Sequence, residues 1–248
     1  MYQFFVSPDR ICNNKIYVEG KDYNHIKNVL RMRVGEEVSV VTEGEDKEYR
    51  CEIEEYLEDE VVLNLLFVKE ENVELPNKVY LFQGLPKSDK LELIIQKCVE
   101  LGVYEIIPVN MKRSIVKYDK KKEAAKITRF NGISEAAAKQ SKRRIIPKVT
   151  NIMTFKEAIA YAKELDVKLL PYELADMDAM GVTRKLMSSI KPGDSVAIFI
   201  GPEGGFDESE VSLAKENGFM PITLGRRILR TETAGMTVMA WLVYLLEK

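Results

Sequence analysis

The 248-residue chain contains one histidine, one tryptophan and three cysteines. With His25 alone, no histidine cluster can hold a metal, and no Ser-His-Asp or Cys-His set can be assembled. Cys12, Cys51 and Cys98 are odd in number and far apart, which excludes a disulfide framework and a zinc-ligand spacing. No apolar run approaches the ~18 residues of a membrane span. Met1-Tyr2-Gln3-Phe4-Phe5 lacks the charged and apolar regions of a secretory signal. A reducing cytoplasm is therefore the expected setting, with no metal and no membrane partner. Glycine-rich phosphate loops are missing too: there is no Walker A ending and no G-x-G-x-x-G.

What is present is charge in blocks. The formal net charge of -2 hides their separation. Residues 43–74 carry thirteen acids against three bases, a net -10, and residues 112–148 carry thirteen bases against three acids, a net +10. A basic block with so few acids to pair with favours a polyanion partner over an ordinary solvated helix face.

Patterning divides the chain in two. Residues 2–6, 15–18, 38–41, 49–53 and 61–68 read as short strands between turns, which indicates a small β-barrel. Asp22 reads as the cap of a helix over 23–30. The polar stretch Glu70-Glu71-Asn72-Val73-Glu74-Leu75-Pro76 separates residues 1–72 from residues 73–248. Beyond it, strands at 79–82, 105–109, 167–171, 195–200 and 220–224 alternate with helices at 89–101 (capped by Ser88), 120–141, 155–165, 183–190, 207–217 and 231–247. That rhythm predicts a parallel sheet covered on both faces. Cys98 falls on the apolar stripe of its helix and reads as core. The last helix is apolar nearly all round, so it needs burial on two sides, and a second subunit is one way to supply it.

Two stretches stand out. In Ile198-Phe199-Ile200-Gly201-Pro202-Glu203-Gly204-Gly205-Phe206 a buried strand runs into a tight glycine turn. Asp207 and Glu210 then form a capping box, and Phe206 and Val211 a hydrophobic staple. Pro202 removes a backbone donor, so the loop suits a neutral or cationic nucleoside better than a phosphate. A plain strand–helix turn without a ligand is the alternative that these residues leave open. In Leu224-Gly225-Arg226-Arg227-Ile228-Leu229-Arg230-Thr231-Glu232-Thr233-Ala234 the threonines are natural caps. Capping leaves three arginines before a buried helix unexplained. The two stretches read as neighbouring strand–loop–helix units that share one pocket.

Together with Lys97-Cys98-Val99-Glu100-Leu101-Gly102-Val103, Glu135-Ala136-x-x-x-Gln140-Ser141-x-Arg143 and His25-x-x-x-Val29-Leu30-Arg31, these motifs resemble the RsmE type of SPOUT RNA methyltransferase over essentially the whole chain. One triplet departs: Lys112-Arg113-Ser114 stands where many members have a Glu-Arg-Ser-like sequence. The resemblance implies an α/β fold with a SPOUT-type trefoil-knotted parallel sheet, preceded by a PUA-like β-barrel. It implies S-adenosylmethionine-dependent methylation of N3 of a uridine in 16S small-subunit ribosomal RNA, by a homodimer acting on the RNA or on the assembled subunit. A non-catalytic RNA-binding protein retaining the fold is the competing class.

The cofactor residues it implies are Leu170, Pro171, Ile200, Gly201, Pro202, Gly204, Leu224, Gly225, Ile228, Leu229, Arg230, Thr233 and Ala234. Arg230 is the first candidate to stabilise charge on uracil, with Arg10 second; Glu203 and Glu232 are the nearest acids for a base. RNA contacts are expected at Arg10, His25, Arg31, Arg33, Lys112, Arg113, Lys142, Arg143 and Arg144.

Overall fold

The computed structural model describes residues 1–172 and 179–247. Its first unit is built from Met1–Glu74 together with Ala138–Ile146, so a short return of chain from beyond the polar boundary completes it. Six strands form one sheet: β1 (Gln3–Phe5), β2 (Ile11–Cys12), β3 (Lys15–Glu19), β4 (Glu37–Val41), β5 (Lys47–Tyr56) and β6 (Glu60–Glu70), in the order β1-β4-β5-β6-β3-β2. Register shifts at Arg50/Cys51 and Ile53/Glu55 bend the long β5–β6 ribbon. The sheet curls around Phe4, Ile16, Val18, Ile26, Val38, Val40, Ile53, Val61 and Leu63, all nearly inaccessible to water.

Helix α1 (Gly20–Asn24) begins before the predicted start. Asp22 therefore lies inside its first turn and pairs with Lys139 at 2.7 Å instead of capping. A π-helical turn follows over His25–Val29 and ends where Arg31 adopts a left-handed φ of 53°.

The opposed charge blocks partly cancel inside this unit. Glu74 receives Arg143 through two guanidinium nitrogens, at 2.9 and 2.6 Å, and accepts the Arg144 N–H at 2.7 Å. Arg144 is 1% exposed and reaches Glu48 at 3.3 Å. Arg143 and Arg144, expected to touch RNA, are instead internal cations, because burying Glu48 and Glu74 requires opposite charge beside them.

The second unit comprises Leu75–Ala137 and Pro147–Lys248. Its strands are β7 (Val79–Gly84), β8 (Glu105–Asn110), β9 (Lys148–Val149), β10 (Met153–Thr154), β11 (Val167–Pro171), β12 (Val196–Ile200) and β13 (Met220–Ile222). All pairings are parallel, in the order β10-β8-β7-β12-β11-β13, with β9 also on β8. The helices are α2 (Lys90–Glu100), α3 (Lys120–Gln140), α4 (Phe155–Tyr161), α5 (Ala179–Ser188), α6 (Glu208–Glu216) and α7 (Thr231–Leu246).

Strand alternation sorts the core. Phe82, Ile107, Val109, Leu170, Ala197 and Phe199 pack with Phe155 and Ile159 of α4 and Val211 and Ala214 of α6. Phe82 and Phe199 stack at 4.3 Å between centroids. On the other face α7 lies so close over β7 and β12 that a Cβ at Gly235 would touch Leu81, Gln83 and Ile200. Helix α2 packs beside α7. Cys98 is fully buried there, and burial pushes its thiol up to about 12, as core packing predicts. The inner face of α7 is covered, whereas Tyr244 is 86% and Leu245 44% exposed.

Candidate active site

Parallel strands send their following loops out of one edge, and ligands of open α/β sheets bind there. The loops after β7, β12 and β13 share this edge. The two glycine motifs are not on neighbouring strands, however: β11 lies between β12 and β13. Leu170 is buried in that middle strand and Pro171 ends it. The chain must therefore return from β13 past β11 to reach its place on β12 as α7.

One hydrogen-bond chain fixes that return. Gln83, fully buried at the end of β7, donates Nε2 to Thr231 Oγ1 at 2.9 Å, and Thr231 donates to the Gly201 carbonyl at 2.6 Å. Thr231 was expected to cap α7. Arg230 is the N-cap instead, with no side-chain cap bond, because the threonine hydroxyl is committed to the first motif.

The loop at 201–206 is closely packed. Gly205 N–H closes it onto the Pro202 carbonyl at 2.9 Å, with Gly205 at φ 68°. Pro202 is buried against Gly84 of β7: a Cβ at Gly84 would lie 2.7 Å from Pro202 Cδ and N and 2.9 Å from Met111 Sδ. Arg113 donates to the Gly204 carbonyl at 3.1 Å. The predicted capping box and Asp207 cap of α6 are both formed. The Lys112 ammonium meets Asp207 at 3.1 Å, and the Ser209 hydroxyl, with Lys112, holds the Asp207 carboxyl down to about 2. Lys112 and Arg113 thus help to shape this loop.

Glu203 does not stand as a free base. Its carboxylate accepts the Lys87 N–H at 3.0 Å and lies 3.1 Å from Lys90 Nζ. Burial opposes its ionisation, but backbone N–H groups and Lys90 outweigh burial and hold the carboxyl below the usual glutamate range. A carboxylate so stabilised is a weak proton acceptor. Its position explains the entry to α2, where Ser88 was expected to cap. Ser88 takes a left-handed φ of 55°, Asp89 makes no side-chain cap bond, and Glu203 supplies negative charge at this end from another loop.

The second motif is more open. Gly225, at φ 109°, turns the chain, and Thr223 Oγ1 accepts its N–H at 3.3 Å. Ile228 is 88% exposed, with Leu224 and Leu229 half-buried around it. Arg226, Arg227 and Arg230 are exposed; Thr233 is exposed and Ala234 buried in the first turn of α7. Among the described residues Arg230 forms no ion pair. Arg10 differs: in the first unit its guanidinium meets Glu19 at 2.8 Å and Glu60 at 2.6 Å, so two carboxylates already hold its charge.

Of the other expected RNA contacts, Arg31 and Arg33 are exposed, and His25 sits half-buried and edge-on to Phe4. Lys142 is half-buried and donates to the Met1 carbonyl. Sequence reading missed Gln83, Gly84 and Lys90. Each left a signal: an amide at the end of an apolar strand, a glycine after it, and a cation at the positive end of a helix. Among the described residues no group of three or more His, Cys, Asp or Glu could hold a metal, and no helix is long and apolar enough to cross a membrane.

Residues 73–243 match the family model for an RNA methyltransferase domain, and residues 18–65 that for an RNA methyltransferase PUA domain. The chain is 37% identical to the ribosomal RNA small subunit methyltransferase E of Bacillus subtilis over 231 residues, covering 93% of this chain and 90% of that protein. It is 30% identical to a ribosomal RNA small subunit methyltransferase E 2 of Borreliella burgdorferi, covering 100% and 98%. The crystal structure of the corresponding Neisseria gonorrhoeae enzyme, bound to S-adenosyl methionine, superposes with a TM-score of 0.84 at 29% identity, covering 99% of this chain and 98% of that one. A match of this extent across both units, with the two glycine motifs joined at one sheet edge, means that the chain belongs to the RsmE-type family of RNA methyltransferases.

Proposed function

We propose that this protein transfers a methyl group from S-adenosylmethionine to N3 of a uridine in 16S small-subunit ribosomal RNA. The observation that carries this reading is the junction of the two motif loops through Gln83, Thr231 and Gly201, in a chain that superposes on a relative holding that cofactor. The residues suit the ligand. Pro202 offers no N–H, the Gly205 N–H is used within the turn, and exposed Ile228 with half-buried Leu229 offers apolar surface to a flat ring. Leu170, Pro171, Ile200, Gly201, Leu224 and Gly225 would line the remaining wall. When bound, the sulfonium supplies an electrophilic methyl.

The chain's own task is to hold uracil N3 in line and to stabilise the negative charge that spreads onto O2 and O4 as its proton leaves. Arg230, exposed at the start of α7 and unpaired among the described residues, would take that role. Its charge lowers the cost of ionising N3, so the proton passes to water without Glu203 as base. Arg31 and Arg33 would steer the polyanion from the PUA-like unit. The exposed Tyr244 and Leu245 face of α7 would be covered by a second copy of the chain, and the return from β13 past β11 would form the trefoil knot. The setting is the cytoplasm, with RNA or assembled subunit as substrate.

Nucleoside mass spectrometry of small-subunit RNA and particles, after incubation with protein and cofactor, should reveal 3-methyluridine. Its absence, with RNA binding intact, would instead establish the non-catalytic RNA-binding class. Arg230→Ala should lower turnover about 100-fold, the usual scale for removing one charge-stabilising donor, at unchanged cofactor affinity by calorimetry. Full turnover in this variant would refute the role.

A further inference from the structure

We infer that Lys90 is a positioning residue for the cofactor loops, a clasp that ties the turn at 201–206 and the start of α7 to helix α2 through Glu203 and Glu232. This rests on the reading of those loops as the cofactor site. The geometry is specific. Lys90 Nζ lies 3.1 Å from Glu203 Oε1 and 3.3 Å from Glu232 Oε2. The three side chains are 30%, 28% and 15% exposed, so the pairs are partly shielded from water. Lys90 is the first residue of α2, where a cation opposes the helix dipole. The one acid in that first turn, Glu92, is engaged by Lys126 and Arg129. The favourable partners of Lys90 therefore come from the 201–206 turn and the first turn of α7.

Glu203 lies within the first motif and Glu232 two residues beyond Arg230. Without the ammonium, two carboxylates would face each other with no intervening charge. The Thr231 bond to Gly201 joins the same two segments by one neutral contact; Lys90 adds the charged contact and anchors both to a third element.

The test uses the full chain with Lys90→Met, which keeps the aliphatic stem, and Lys90→Arg, which keeps the charge. Amide hydrogen exchange is read for residues 201–206 and 231–234 without ligand, and S-adenosylmethionine affinity by calorimetry. Lys90→Met should speed exchange of both segments and weaken cofactor binding about tenfold, the scale of two partly shielded ion pairs; Lys90→Arg should restore both. Adding Glu203→Gln to Lys90→Met should cost less than the two single effects summed, because both remove one contact. Unchanged exchange in Lys90→Met, or equal loss in Lys90→Arg, overturns the clasp. If the parent protein fails to bind S-adenosylmethionine while Lys90→Met still loosens both segments, the cofactor reading fails and the clasp stands. If Lys90→Met does not fold, Glu203→Gln must by itself loosen the start of α7, and an unchanged α7 overturns the proposal.

Discussion

Replacing Gly84 with alanine is expected to lower the melting temperature of the second unit by roughly 6–12 °C and to weaken S-adenosylmethionine binding. The reason is contact, not backbone conformation. The new methyl would sit 2.7 Å from the backbone nitrogen and Cδ of Pro202 and 2.9 Å from Met111 Sδ. The sulfur is the end of a flexible side chain and can move. Pro202 cannot: its ring is buried and its carbonyl is held by the Gly205 N–H. The loop at 201–206 must lift off β7, which costs about 3 kcal/mol by the usual scale of overpacking. Lifting it also moves Gly201 away from Thr231 and Glu203 away from Lys90, so affinity should fall further than stability alone requires. Thermal melting followed by calorimetry measures both. An alanine variant with parental melting and affinity would show that the loop has room the structure does not show.

Arg144→Met should destabilise the first unit by about 3 kcal/mol, the low end for removing one partner of a buried ion pair. Arg144 is 1% exposed and serves Glu48, Gln3 and the Lys142 carbonyl. Methionine fills the stem but leaves Glu48, 5% exposed, without one of its two ion-pair partners, Arg50 remaining.

A pH dependence accompanies this effect. Burial opposes the charge on Glu48, yet the Ser39 hydroxyl, Arg50 and Arg144 outweigh it and hold the carboxyl below its ordinary value. A depressed folded-state value stabilises above the unfolded one, so this contribution is present above about pH 4.3 and is lost as pH falls through the folded value. Denaturant titrations from neutral to acid pH should show the decline in the parent protein and a flatter profile in Glu48→Gln. If Arg144→Met melts like the parent, the buried pair contributes nothing net and the accounting of the two charge blocks is wrong.

Those blocks show what a linear reading can reach. The excess of acid over 43–74 and of base over 112–148 is visible in the chain, and RNA is a reasonable partner for the basic one. Burial is not visible. Arg143 and Arg144 look like Lys117 or Lys148 in sequence, and only the return of residues 138–146 into the first unit turns them inward toward Glu74 and Glu48.

By itself the sequence determined the strands and helices with strong periodicity, the capping box at Asp207, the core position of Cys98 and the family motifs. These are local signals, set by side-chain period and by caps within a few residues. The tertiary structure alone decided that β11 lies between the two motif strands, that Thr231 ties motifs instead of capping a helix, and that Glu203 is a held carboxylate facing Lys90. Each depends on residues far apart in the chain meeting at one sheet edge. The order of parallel strands is a matter of crossover connections, which leave no periodicity to read.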